Sequence, residues 1–343
     1  MKNHLGKLTL LISVLLILLG FGLYHRTYLL MGTFAEITIP KKNDKLLDGT
    51  VEKMKSLEAL MSIYKKDGEI SQINSLGKDK LKKASPEVYE VIERAIYFGK
   101  LTDGAFDITV APLLKLWHFE GGELKEIPSQ EKINEALKSV GWQNITLTPE
   151  KPARFLQKQA GGEISFTKEN MSIDLGGIAT GYIVDKGIMH LKEKGAKSAL
   201  INAGGDIYCL GGKNNDEPWS VGIRHPRKKD EIIGTLKLRD KGVTTSGDYE
   251  KFFILKGKRF CHIINPSTGY PVDNQVIQVT AVANTCTDAD ALATALMVMG
   301  KEKGLKLIEK LPNTEAVIIE ESGEGKLNIS YTSGLEGVIE LYE

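Results

Sequence analysis

The stretch Asp174-Leu175-Gly176-Gly177-Ile178-Ala179-Thr180-Gly181-Tyr182, followed by Asn202-Ala203-Gly204-Gly205-Asp206, constrains this chain more than any other. Asp174 and Asp206 flank backbone too rich in glycine to be ordinary core. Glycine lets a chain come close to a ligand or to a second backbone. A helix opening out of such a turn aims unpaired N–H groups at an anion. The segment is therefore either a ligand loop, with a phosphorylated ligand as the first reading, or a tight strand-to-helix packing turn. Gly176-x-x-x-x-Gly181 has P-loop spacing, but Tyr182 and Ile183 stand where Lys and Ser/Thr belong, and the G-x-G-x-x-G fingerprint is absent. Neither standard nucleotide loop fits.

The 343 residues suffice for one large domain or two ordinary ones. A net charge of +1 gives no reason to expect nucleic acid or a strongly acidic partner. The N-terminus is distinct: Lys2 and Lys7 precede an uncharged run from Leu8 to Tyr24. A basic start and an apolar run of this length suit an export signal or a membrane anchor. No cysteine follows for lipid attachment and no small-residue cleavage site precedes His25, so an uncleaved anchor is favoured. Residues 1–27 are read as signal or anchor and 28–343 as the working domain, placed outside the cytoplasm and tethered to the membrane. Cys209, Cys261 and Cys286 are odd in number and far apart, which argues for buried thiols rather than a disulfide framework.

Alternation between Tyr28 and Ile39 predicts a strand, and Leu47, Val51, Met54, Leu57, Leu60, Met61 and Tyr64 recur at helical spacing. Ser85-Pro86 and Ser129 read as helix starts, with stops near Gly99 and Gly141. Residues 149–170 are pattern-poor and read as a surface hairpin or linker. A helix is expected from Ile183 to Lys194, a strand from Ser198 to Asn202, and a hairpin turn at Lys256-Gly257-Lys258. Helix follows from Thr287 to Met299 and again from Gly304 to Leu311, before closing strands near residues 316–319 and 328–331. Irregular alternation with several hairpins predicts an α+β protein with mostly antiparallel sheet.

Two places could carry chemistry. Asp290 and Thr294 are i and i+4, so a carboxylate and a hydroxyl share one helix face and suit Mg²⁺. The alternative is structural, with Thr287 and Asp290 forming a capping box. His262 sits where a strand gives way to Asn265-Pro266-Ser267-Thr268-Gly269-Tyr270-Pro271, a loop of turn formers. A structural histidine is the competing reading there. No G-x-S-x-G elbow accompanies it, which argues against a serine hydrolase.

In order along the chain, Met31-Gly32-Thr33, Asp103 to Val110, Asp174 to Ala179, Asn202 to Asp206, Thr245-Ser246-Gly247-Asp248-Tyr249, His262 to Pro266, Gly269-Tyr270-Pro271 and Ala289 to Thr294 together resemble the ApbE family of FAD:protein FMN transferases. The resemblance implies a T-fold-like α+β fold, FAD as substrate and Mg²⁺ as cofactor. It also implies transfer of FMN to a threonine of an acceptor flavoprotein, with release of AMP. Typical acceptors are exported subunits of sodium-pumping NADH:quinone oxidoreductases and Rnf-type complexes, or other exported flavoproteins.

Carried over by position, Met31, Tyr64, Ala105, Phe106 and Asp107 line the FAD pocket, Asp174 contacts FAD, and Thr180 and Ile263 border it. The carbonyl of Gly177 joins Asp290 and Thr294 around the metal, and His262 is the general base. Three departures stand out: Thr180 replaces a common Lys, Asn265 a common Asp, and Cys261 a bulkier residue. Competing readings are an FAD pyrophosphatase, with water in place of threonine, and a non-catalytic FAD carrier.

Overall fold

The computed structural model describes residues 22–119, 126–150, 161–213 and 216–342. The apolar run on which the anchor and export readings rest lies, up to residue 21, outside these. Among the described residues no helix is long and apolar enough to cross a membrane.

Where alternation predicts one strand there are two, β1 (Tyr24–Leu30) and β2 (Thr33–Ile39), paired from Tyr24↔Ile39 to Leu30↔Thr33. Met31 and Gly32 turn the hairpin with φ of 54° and 68°, the positive values that match strand twist. Tyr24 to Thr27, assigned to the leader by sequence, are thus part of the sheet, and the boundary at 28 falls within β1.

The helical period appears in α1 (Asp44–Met61), capped by Asn43 and burying Leu47, Val51, Met54, Leu57 and Met61. After α2 (Glu69–Asn74) and β3 (Lys82–Ala84), Ser85 caps α3 (Pro86–Leu101) as its sequence predicts. Next come α4 (Ala111–Trp117) and α5 (Gln130–Leu137), the latter capped by Ser129, then β4 (Ile145–Pro149). The segment read as linker contains β5 (Gly162–Phe166), central in a β3-β5-β4 sheet. Its Ile164 and Phe166 are buried: the polar residues around them masked a short core strand.

The glycine turn opens directly into α6 (Ala179–Glu193), four residues before the expected start. Strands β6 (Ala199–Ala203), β7 (Asp206–Leu210), β8 (Trp219–Arg224), β9 (Ile232–Leu238) and β10 (Lys241–Gly247) follow. The hairpin β11 (Phe252–Leu255) and β12 (Lys258–Cys261) turns at Lys256-Gly257, as the sequence indicates. The chain closes with β13 (Val276–Ala283), α7 (Cys286–Met299), α8 (Lys301–Ile308), β14 (Glu315–Ser322), β15 (Lys326–Tyr331) and a three-residue β16 (Ile339–Leu341) too short to read from sequence.

The main sheet has eight strands in the order β1-β2-β6-β7-β10-β13-β14-β15, every pair antiparallel. Side chains alternate across it. One face packs on α1, α6 and α7 around Met54, Val184, Ala281 and Leu296. The other face is covered by the small sheet β16-β9-β8 around Trp219, Leu236 and Val243. A third cluster joins α4 and α5 to the β11–β12 hairpin around Trp117. The α+β expectation holds.

Candidate active site

Two helices meet at Gly181. A methyl there would lie 2.4 Å from the Cys286 carbonyl oxygen and 2.9 Å from Asp290 Cβ. That contact explains why a residue of poor helix propensity sits in the first turn of α6. The Gly181 N–H donates to Asp290 Oδ2 at 3.2 Å. One turn further, Asp185 accepts from Cys286 N and Thr287 N, both at 2.8 Å, and from the Thr287 hydroxyl. Asp185 therefore caps α7 from a neighbouring helix, in addition to the Thr285 hydroxyl, which accepts from Asp288 N at 3.1 Å. The capping box expected between Thr287 and Asp290 does not form, since Thr287 is committed to Asp185 and Asp290 lies a turn inside the helix.

Held this way, α7 presents Asp290 and, one turn on, Thr294 to the glycine turn. A methyl on Gly177 would sit 3.0 Å from Thr294 Oγ1 and 3.2 Å from the edge of the Phe106 ring. Gly177, Thr294, Phe106 and Asp290 are thus gathered from three parts of the chain.

The electrostatics of this cluster are lopsided. Asp290 is only 4% exposed, and burial followed by the neighbouring Asp206 holds its carboxyl well above the usual range. Asp206 is pushed up to about 7, by burial first and then by Asp185 and Glu250, with Thr244 pulling the other way. Burial also raises Asp185 to about 6, against its hydrogen bonds. Asp206 Oδ1 is buried with no hydrogen-bond partner. Among the described residues no lysine or arginine pairs with any of the three. Buried, uncompensated carboxylates disfavour their own ionisation, and a cation would reverse that.

The turn itself is braced by Asp174, whose N–H donates to the Ile108 carbonyl at 2.7 Å and whose Oδ1 accepts from Gly176 N at 2.6 Å. Burial raises its pKa, opposed by the Gly176 N–H and by Lys251. Asp107 is committed elsewhere: Oδ1 accepts from Thr109 N and Oγ1, and Oδ2 from Trp142 N. Asp107 fixes the loop that carries Ala105 and Phe106.

His262 follows β12 and donates its N–H to the Lys251 carbonyl at 2.9 Å. Its Nδ1 lies 3.2 Å from the same oxygen, so a proton on Nδ1 leaves the Nε2 lone pair free. Burial, then the nearby Lys251 charge, lowers its pKa to about 4, although the Lys251 carbonyl favours the charged form. The imidazole is neutral at physiological pH. Lys251 thus acts on both Asp174 and His262.

The adjoining Ile263 is buried and accepts from Val272 N. Asn265 Oδ1 accepts from the Ser267 N–H and hydroxyl, which shapes the loop. Met31 lies in the β1–β2 turn, beside Thr33, against which Gly204 packs. Thr180 is half-buried in the first turn of α6. Tyr64 is 68% exposed beyond the end of α1. All three cysteines are buried and unpaired, as expected.

Sequence reading missed Asp185 and Lys251 as parts of this site, and singled out Asp206 without giving it a role. A signal existed for Asp185, an acid one turn from Gly181 on an otherwise buried helix face. Among the described residues, no three His, Cys, Asp or Glu side chains gather where they could hold a metal.

The ApbE family model matches residues 31–318. The chain belongs to the ApbE family. It is 31% identical over 287 residues to the FAD:protein FMN transferase of Escherichia coli K12, covering 82% of this chain and 79% of that one. It is 30% identical over 312 residues to the FAD:protein FMN transferase of Treponema pallidum, covering 86% and 84%. The ApbE protein of Thermotoga maritima superposes with a TM-score of 0.80 at 32% identity, covering 92% of this chain and 99% of that one. The flavin transferase ApbE of Vibrio cholerae superposes with a TM-score of 0.79 at 28% identity over the same shares. The antiparallel sheet packed on α1, α6 and α7 is therefore the ApbE fold, and this member is an enzyme.

Proposed function

We propose that this ApbE-family enzyme transfers the FMN half of FAD to a threonine hydroxyl of an acceptor flavoprotein outside the cytoplasm. The acceptor Oγ attacks the FMN phosphorus, the bond to the AMP phosphate oxygen breaks, and the hydroxyl proton passes to His262 Nε2. AMP leaves. The observation that carries this reading is that Lys251 acts on both the Nδ1-anchored His262 and Asp174, which braces the glycine turn where Gly177 meets Thr294 of α7.

Asp174, with Oδ1 committed to Gly176, offers its other oxygen to a donor on FAD. Phe106, Met31, Tyr64 and Ile263 supply aromatic and apolar surface, Ala105 and Thr180 leave room, and Asp107 keeps the loop in place. Asp290, Thr294 and the Gly177 carbonyl form a hard oxygen donor set suited to Mg²⁺, which takes few protein ligands. The uncompensated burial of Asp290 supports a cation there. When bound, Mg²⁺ neutralises charge on the pyrophosphate. The N-terminal apolar run supports membrane tethering and acceptors such as exported subunits of Na⁺-pumping NADH:quinone reductases or Rnf-type complexes.

Incubating the protein with FAD, Mg²⁺ and a threonine-containing exported flavoprotein tests this. Acid-stable fluorescent labelling of the acceptor is expected. AMP release without labelling would instead support a pyrophosphatase, and tight FAD binding with neither would support a carrier.

A further inference from the structure

The β11–β12 hairpin is a two-stranded sheet of its own that leads directly into His262. One face is anchored: Phe253 and Phe260 stack at 5.3 Å between centroids, and both rings meet Trp117. The other face leaves Phe252 42% and Ile254 63% exposed. Such apolar exposure on an edge strand is a surface proteins normally cover.

The pairing register shows which backbone groups are unused. The His262 N–H donates to the Lys251 carbonyl, so 251↔262 is a hydrogen-bonded pair. Hydrogen-bonded and open pairs alternate in an antiparallel ladder. Phe252↔Cys261 and Ile254↔Arg259 are therefore open pairs, and the main-chain N–H and C=O of Phe252 and Ile254 face away from β12. Among the described residues no other element pairs with that edge. The β12 side is different: Lys258 is held to Asp273 at 2.5 Å, and Arg259 reaches Asp248 at 3.6 Å.

Charge adds direction. Residues 251–262 contain four cations, Lys251, Lys256, Lys258 and Arg259, and no acid. Lys251 and Lys256 make no ion pair among the described residues. Arg259 stacks over the Phe252 ring at 4.2 Å, so cationic and apolar surface are interleaved along one edge.

We propose that the outer edge of β11 docks an extended, acidic segment of the acceptor protein as an added strand, which carries its threonine past Lys251 to His262. The proposal rests on the transferase reading and names the partner surface of the same site. Main-chain pairing supplies affinity in this mode, and alternate side chains supply selectivity. Phe252 and Ile254 are two apolar contacts on one face, and Lys251 and Lys256 bracket the strand electrostatically.

The test uses the full protein with FAD, Mg²⁺ and a randomised pool of short peptides, each with one central threonine. Labelled peptides should be enriched in Asp and Glu over Lys and Arg. For an enriched peptide, Ile254→Pro removes the outward N–H while leaving the bonds to β12. The half-saturating peptide concentration should rise about tenfold, the worth of one good hydrogen bond. Lys256→Glu should raise it roughly three- to fivefold in low salt. FAD affinity, read by flavin fluorescence, should not move in either variant. Unchanged peptide dependence in both variants overturns the docking edge alone. So does binding of the hairpin to phosphatidylglycerol vesicles that both variants lose while peptide labelling persists. If the unmodified protein labels neither peptides nor whole exported flavoproteins, the transferase reading falls and the docking proposal with it. Labelling of whole flavoproteins but no peptide overturns only the proposal that an extended segment suffices.

Discussion

The Gly181 N–H and the Asp290 carboxylate meet where α6 and α7 pack closely, 3.2 Å from N to Oδ2. The same closeness that makes the hydrogen bond forbids a side chain, because a Cβ would collide with the Cys286 carbonyl. Backbone cannot move aside cheaply. Gly181→Ala should therefore destabilise the protein by about 1–3 kcal/mol, the usual cost of overpacking, although alanine is the better helix former. It should also lower FMN transfer at least tenfold by displacing Asp290. Equilibrium denaturation and a labelling assay check both, and a stabilised, fully active variant would show that the helices are not in this contact.

Asp185 acts at one remove from the same carboxylate. Its three bonds fix the first turn of α7 and so set where Asp290 and Thr294 lie relative to Gly177. Asp185→Ala should cost about 1–2 kcal/mol as a lost cap and raise the Mg²⁺ concentration needed for half-maximal transfer. Asp185→Asn, which can still accept with one oxygen, should restore part of the Mg²⁺ dependence. Equal Mg²⁺ curves for all three proteins would reduce Asp185 to a purely structural role.

What the sequence revealed and what it hid follow from how local each signal is. Ser85-Pro86, Ser129 and Lys256-Gly257 act through adjacent backbone, and all three features form where expected. The i,i+4 relation of Asp290 and Thr294 is equally local. The pairing of Gly177 with Thr294 is not local, since it joins residues more than a hundred positions apart, and only the family resemblance brought them together. Asp107 shows the reverse limit: its motif marks the site, but its oxygens are spent on Thr109 and Trp142. Strand β5 was missed because two buried side chains in a short polar stretch give no clear period.

The acid cluster sets a pH dependence of stability with a definite sign. Asp185 and Asp206 are raised to about 6 and about 7, and burial and the neighbouring Asp206 also hold Asp290 well above its ordinary value. A carboxyl whose folded pKa exceeds its unfolded value favours the folded state while protonated, and loses that contribution as pH rises through the folded pKa. The metal-free protein should therefore lose stability between about pH 4 and pH 7 from Asp185 and Asp206, with Asp290 acting in the same direction. Added Mg²⁺ should raise Tm more at pH 8 than at pH 5.5, and Asp290→Asn should flatten the metal-free curve while abolishing the Mg²⁺ shift. A Mg²⁺ shift that persists in Asp290→Asn would place the ion elsewhere.

His262 gives the complementary test, because its pKa is lowered rather than raised. The unfolded imidazole binds a proton near pH 6.5, so folding is disfavoured progressively as pH falls below that value, toward the folded value of about 4. For the proposed role as base, the depression keeps Nε2 unprotonated across the physiological range. The kcat/KM profile reports the free enzyme, so its acid limb should fall below about pH 5 rather than near 6.5. His262→Gln, which keeps a donor for the Lys251 carbonyl but is no base, should retain FAD binding and lose transfer by about 10²–10⁴-fold. Labelling measured from pH 4.5 to 9 decides the matter. An inflection near 6.5 that disappears with His262→Gln would mean that the ring is solvated in solution and that its neighbours do not hold it neutral.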